Sequence, residues 1–141
     1  MRFMILLKGD EHTEAGELPT EAQLTEMGRY NQELVDAGVL RAGEGLQPTS
    51  KGARVHFSGD TRTVEEGPFP ETGQLLAGFW IFEVSSRDEA VEWVKRCPKP
   101  LLGDAEIEIR QVYEADDFGH EMAPELGEQE ERMRRQSAAR S

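Results

Sequence analysis

Cysteine is almost absent: Cys97 stands alone among 141 residues, so no disulfide can form within the chain and nothing in it calls for an oxidising compartment. Long apolar runs are missing too. Behind Arg2, the block Phe3 to Leu7 is ended by Lys8-Gly9-Asp10. That is far short of the roughly 18 residues that cross a bilayer, so neither a signal peptide nor a membrane span is expected and the cytoplasm is the default location. Basic residues are outnumbered, with 16 Lys and Arg against 28 Asp and Glu and a formal net charge of -12. Direct nucleic-acid contact is thereby disfavoured, because that affinity comes from Lys and Arg displacing counterions from phosphates, although a small anion could still meet a local positive pocket. His12, His56 and His120 share no ligand-like spacing, so the pattern supplies no metal site and implies no cofactor. Gly43-Glu44-Gly45 lacks the Lys-Ser or Lys-Thr and the following helix of a phosphate loop.

What is present is enough for one core, since domains commonly run to roughly 100 to 150 residues. Arg2 to Leu7 is continuously apolar rather than alternating and reads as a central strand covered on both faces. Thr20 with Gln23 makes a capping box, and Leu24, Met27, Tyr30 or Asn31, and Leu34 recur at helical spacing until Asp36-Ala37-Gly38 stops the helix. Val39 to Leu46 returns irregularly through Gly43 and Gly45. Ala53 to Phe57 alternates, and Ser58-Gly59-Asp60 turns it into Thr61 to Val64 as a hairpin. Leu75 to Val84 reads as a strand buried on both sides, with Trp80, Phe82 and Val84 on one face and Phe79 and Ile81 on the other. Ser86 with Glu89 suggests a second capping box ahead of a helix that Pro98 ends, and Ala105 to Tyr113 closes with a strand that has one wet face.

This order of β-α-β, hairpin, β-α-β predicts an α+β ferredoxin-like sandwich, with two helices on one face of an antiparallel sheet and an extra β-hairpin. The uncovered face carries apolar side chains, so sheet-to-sheet pairing of two chains as a homodimer is expected. From Glu114 the composition turns to acids, Gly and Arg. The domain is therefore placed at 1–113, and 114–141 is read as a polar C-terminal tail, disordered, loosely docked or weakly helical over Pro124 to Gln136.

A set of short motifs carries a resemblance: Glu66-Gly67-Pro68-Phe69-Pro70-Glu71-Thr72, Gly78-Phe79-Trp80, Asp88-Glu89-Ala90, Trp93, Arg96-Cys97-Pro98 and Glu106 to Arg110. Together these resemble the YCII-related proteins over about residues 1 to 113, in the branch named for an Asp-Gly-Pro-Phe motif. Glu66 stands here in place of that Asp. The resemblance implies a dimeric α/β-barrel arrangement. It also implies, for some relatives, a His and Asp pair and dehydrochlorination chemistry. Those positions fall here on or near Met27 and on Cys97, and Met27 cannot move a proton, so that mechanism does not transfer. Because family members are encoded beside or joined to extracytoplasmic-function sigma factors, the resemblance also implies a non-catalytic regulatory or interaction module, with the tail as a contact for a protein partner.

The stiff Gly67-Pro68 turn can present Glu66 and Glu71 to a cleft with Phe69 as an apolar wall, and adjacent carboxylates can serve acid or base chemistry. The competing reading makes both acids solvated and Phe69 a core plug. On the catalytic reading Glu66 or Glu71 accepts a proton, and Arg54, Tyr30, Phe69 and Trp80 bind a small anionic or apolar organic ligand, as in lactone or muconate-type isomerisation or elimination. Lys8 and His12 follow the first strand and could approach such a cleft, whereas His56 is expected on an exposed strand face. Cys97, at the last apolar position of its helix, reads as packing rather than as a nucleophile.

Overall fold

Strand β1, Arg2–Lys8, alternates strictly: Phe3, Ile5 and Leu7 are buried while the residues between them are half-buried. The computed structural model describes residues 1–71, 74–101, 103–118 and 124–140, which leaves Thr72, His120 and Met122 outside the described residues. Contacts divide the chain into two units, Met1–Gln111 and Val112–Ser141.

In the first unit β1 is followed by a short helix α1, Glu11–Glu14, and by the longer helix α2, Glu21–Asp36. Strand β2, Leu40–Gly45, precedes the hairpin of β3, Ala53–Ser58, and β4, Thr61–Glu66; then come β5, Leu76–Glu83, helix α3, Arg87–Lys95, and β6, Ile107–Gln111. Four strands make one antiparallel sheet in the order β2-β5-β1-β6, and β3 with β4 forms a separate two-stranded sheet. With the hairpin set aside, this is the strand order of a ferredoxin-like α+β fold, as the element order predicts. The sheet is open, with β2 and β6 at its edges.

Register places Phe3 beside Phe82 and Ile5 beside Trp80, and these side chains join Tyr30 and Leu34 of α2 and Ala90 of α3 in a single core. Phe3, Ile5, Leu34 and Phe82 are fully buried. The opposite face of the sheet carries Met4, Leu6, Phe79 and Ile81, all half-buried, beside Glu108 and Arg110 of β6. Alternation therefore covers one face and leaves an apolar strip on the other, so β1 and β5 are not covered on both faces as their continuous apolarity predicts: both helices lie on one side of the sheet.

Local sequence explains the helix starts. Thr20 accepts the Gln23 N–H at 3.1 Å while the Gln23 side chain accepts the Thr20 N–H at 2.8 Å, which completes the expected capping box. At α3 the box is only half formed. Ser86 accepts the Glu89 N–H at 3.1 Å, but the Glu89 carboxylate reaches back past Ser86 to the N–H and hydroxyl of Ser85. Leu24 departs from the stripe read along α2: it is 58% exposed, and the buried face runs through Met27, Tyr30 and Leu34. Strand β2 is bulged between Leu40 and Ala42, in keeping with its glycine-rich sequence.

The hairpin's Val55, Phe57 and Val64 are exposed. Val55 lies opposite Val64, and Phe57 lies opposite Arg62, whose guanidinium sits 4.5 Å from the Phe57 ring centre. His56, on the other hairpin face, meets Glu65 at 2.9 Å.

In the second unit, Ala115–Phe118 forms a 3-10 turn and Pro124–Arg140 forms helix α4. Arg134 bridges Glu130 at 2.8 Å and Glu114 at 3.8 Å. No helix among the described residues is long and apolar enough to cross a membrane.

Candidate functional site

The Asp10 carboxylate accepts the Thr13 N–H at 2.9 Å, and the Thr13 hydroxyl accepts the Asp10 N–H at 2.8 Å, so this pair starts α1 directly after β1. Helix α1 and the strap to Pro19 face α2, β2 and the end of β5 across a cavity of about 590 Å³. Its apolar wall includes Leu7, Met27, Leu40, Ala77, Trp80 and Leu101; Gln23 and Asn31 of α2 and Gln47 add uncharged polar groups. Asp10, His12, Glu17 and Glu44 are the ionisable residues of the described lining, and Glu44, opposite Phe79, has its side chain on the other face of the sheet. His12 and Glu17 form an ion-pair contact through Nδ1 and Oε2, both half-exposed.

Trp80 is fixed by two neighbours. Its indole N–H donates to Asn31 Oδ1 at 3.0 Å, and Tyr30 meets it edge-on with ring centres 6.3 Å apart. On the strand side Gly43 leaves room for it, since a Cβ there would come within 2.8 Å of Trp80 Cδ1. Tyr30 is itself buried and donates its hydroxyl to the Trp93 carbonyl at 2.7 Å. Burial pushes the Tyr30 hydroxyl well above its ordinary range, so it stays protonated.

The six site residues read from the sequence separate into groups. Trp80 lines the cavity, and Tyr30 stands behind it. Arg54, Phe69 and Glu71 form a cluster of their own: Arg54 Nη1 donates to Glu71 Oε2 at 3.1 Å, and the guanidinium stacks 3.9 Å from the centre of the buried Phe69 ring. A hydrogen bond from its own backbone amide, followed by that from Arg54, holds the Glu71 carboxyl below its usual range. Glu66 is exposed and lies opposite Ala53, whereas Arg54 lies opposite Glu65, so strand alternation puts Glu66 and Arg54 on opposite hairpin faces. Glu66, Glu71, Arg54 and Phe69 are not among the cavity-lining residues.

The Gly-Pro-Phe turn nevertheless bears on the cavity through a chain of hydrogen bonds. Phe69 N–H donates to Thr49 Oγ1 at 3.0 Å, and the Thr49 hydroxyl and N–H donate to the Glu14 carboxylate at 2.5 and 3.1 Å. Gly67 N–H donates to the Gly52 carbonyl at 3.0 Å. Glu14 belongs to the helix that carries His12 and Thr13, and Thr49 directly follows the lining residues Gln47 and Pro48. The turn thus braces two walls of the cavity from outside.

Cys97 is half-buried at the end of α3, packs against the core, and has its thiol pushed up to about 11 by burial. A thiol so held is a poor nucleophile at neutral pH, in keeping with a packing role. Among the described residues no group of three His, Cys, Asp or Glu side chains is arranged to hold a metal ion.

An open ferredoxin-like sheet, two covering helices and a cavity under a short cap-stabilised helix define a small α+β domain with a built pocket. Residues 1–116 match the YCII-related domain, and the chain belongs to that family. It is also 26% identical over 117 residues to the uncharacterized protein R00369 of Rhizobium meliloti strain 1021, an alignment that covers 80% of this chain and 94% of that protein.

Proposed function

We propose that this chain is a homodimeric, cytoplasmic small-molecule-binding protein whose site is the cavity between α1, α2 and the ends of β2 and β5. The observation that carries the reading is the 590 Å³ cavity itself, with its apolar wall and a few polar groups at the rim. Pockets that hold organic ligands are commonly of this size and composition. If the site is catalytic, an isomerisation or elimination needs a proton acceptor at the cavity. His12, held by Glu17, is better placed for that step than Glu66 or Glu71, which lie outside the lining. Arg54, Phe69 and Glu71 then act as a support for the wall. The assignment to the Asp-Gly-Pro-Phe branch rests on Glu66 to Phe69, with the carboxylate kept and its chain one methylene longer.

The homodimer reading is supported by the half-buried strip Met4, Leu6, Phe79 and Ile81, which a second copy packed sheet against sheet would remove from water. A second reading, a regulatory or interaction module, is favoured by the hairpin, whose Val55, Phe57 and Val64 form an exposed apolar patch on an arm outside the main sheet.

Titration with the neutral apolar fluorophore N-phenyl-1-naphthylamine tests the cavity. Ala77→Phe, which fills the wall, is expected to abolish the fluorescence gain while circular dichroism stays native. Unchanged probe binding in that variant would place the ligand site elsewhere. Retention of a protein partner by the intact chain, with its loss on deletion of 114–141 or on Phe57→Ser, would favour the interaction reading.

A further inference from the structure

The hydrogen bond that fixes Trp80 also decides what the cavity offers a ligand. An indole N–H can only donate, so the Asn31 atom that meets it at 3.0 Å is the amide oxygen, and the donor sets which way the amide points. The Asn31 amide nitrogen is the free end. It carries two N–H groups and has no hydrogen-bond partner among the described residues. Asn31 is half-buried and lines the cavity. Among the described residues Glu83 Oε2 is the one fully buried side-chain nitrogen or oxygen without a hydrogen-bond partner, so the Asn31 nitrogen keeps access to open space, and the space beside Asn31 and Trp80 is the cavity. Gln23, two turns earlier on α2, is set the same way. Its side-chain oxygen accepts the Thr20 N–H at 2.8 Å, which leaves its nitrogen as the free end.

The α2 wall therefore presents donors whose acceptor ends are already used. The acids of the lining are engaged or turned away: Asp10 receives the Thr13 N–H, Glu17 is paired with His12, and Glu44 has its side chain on the other face of the sheet. Neither Lys nor Arg stands among the described lining residues, so an entering carboxylate or phosphate would give up water without gaining an opposite charge. We infer that the cavity takes an uncharged, largely apolar molecule bearing a carbonyl oxygen, a ketone or an ester, with that oxygen received by the Asn31 amide N–H and the hydrocarbon body against Met27 and Trp80. This rests on the reading of the cavity as the ligand site, and makes Asn31 the group that fixes the ligand's polar end. It departs from the expectation of an anion held by Arg54, because Arg54 is bound to Glu71 and stacked on Phe69.

Butylbenzene, 4-phenylbutan-2-one and 3-phenylpropanoate share one body and differ in carrying no polar group, a carbonyl or a carboxylate. Displacement of N-phenyl-1-naphthylamine from the full chain at neutral pH measures each. Asn31→Asp keeps an oxygen for the Trp80 N–H but replaces the free donor with an acceptor. The ketone is expected to lose about fivefold more affinity than butylbenzene in that variant, the worth of one neutral hydrogen bond, and in the parent to bind more tightly than the carboxylate. A second measurement needs no variant: the infrared carbonyl stretch of the ketone bound to the parent is expected at lower frequency than in hexane, as a hydrogen-bonded carbonyl requires. Equal losses for ketone and butylbenzene, a carboxylate that binds as tightly as the ketone, or an unshifted carbonyl overturns the ligand assignment and leaves the cavity standing. A fluorophore that does not bind the parent overturns the cavity reading, and the ligand assignment with it.

Discussion

At the scale of single residues, two positions tie conformation to consequence. Gly67 has no room for a side chain: a Cβ there would come within 1.7 Å of the Thr49 carbonyl oxygen, which is backbone and cannot swing aside. Gly67→Ala is therefore expected to destabilise the fold by about 3 kcal/mol, at the upper end of overpacking costs. It should also weaken probe binding at the cavity, since Thr49 anchors Glu14 of the cavity's short helix. Chemical denaturation and probe titration on the same variant measure both effects. Tyr30 gives a pH-dependent case. Burial raises its hydroxyl above the ordinary value of 10.0, so the folded state resists ionisation that the unfolded chain undergoes near that pH. The stability that the protonated group contributes is complete below about pH 10 and is lost as pH rises toward the higher value in the folded state. Tyr30→Phe removes one of two donors from the Trp93 carbonyl, which keeps the Arg96 N–H at 3.1 Å, and is expected to cost about 1 kcal/mol at pH 7. The gap from the parent should narrow above pH 10, because only the parent's unfolded state then gains by ionising. Urea melts on the two sides of pH 10 check the sign.

At the scale of elements, caps and alternation carry the fold. Thr20→Ala removes one side of the reciprocal cap at α2 and is expected to lower stability by about 1 kcal/mol in a thermal melt, without changing the probe affinity of the cavity. The strands, both main helices and the hairpin were legible because each has its own local signal. Thr20 with Gln23 marks a helix start, and Ile107 and Ile109 alternate with charged residues. Helix α1 was not legible in the same way: its four residues show no apolar period, and only Asp10 with Thr13 three residues later announces it. Glu89 could equally cap Ser86 or Ser85, and spacing does not choose between adjacent serines. Leu24 fits the helical period, yet it lies a turn before the first residue that reaches the core. The candidate site was legible in part. The alternation puts Trp80 with Phe82 and Val84 on one strand face but does not tell which face the helices cover, and Arg54, Phe69 and Glu71 come together. The cavity itself was hidden, because its walls come from separate stretches, residues 7–19, 23–31, 40–48, 77–80 and 100–101. Which of these oppose one another is decided by long-range sheet pairing, not by any local pattern.

At the scale of the whole molecule, the question is how the sheet's second face meets water. The covered face belongs to a core with Phe3, Phe82 and Leu34 at its centre, whereas Met4, Leu6, Phe79 and Ile81 remain half-buried in a single copy. Beside them Glu108 is bound to Arg110 at 3.2 Å and to Lys8 at 3.6 Å, and the hydrogen bond from Arg110, followed by the charge of Lys8, holds its carboxyl below the usual range. In the proposed dimer these charges would lie at the margin of the apolar strip, since a two-fold axis sets the same patch against itself. The proposed dimer predicts a mass of twice the protomer by light scattering at micromolar concentration. Ile81→Lys, which places an ammonium in the middle of the strip opposite Met4 and Ala42, is expected to give a folded monomer with native circular dichroism. Phe57→Ser on the hairpin should leave the mass of the pair unchanged, because that arm lies outside the main sheet. A parent protein that scatters as a single copy would refute sheet-to-sheet pairing. A dimer lost through Phe57→Ser but kept through Ile81→Lys would move the contact to the hairpin.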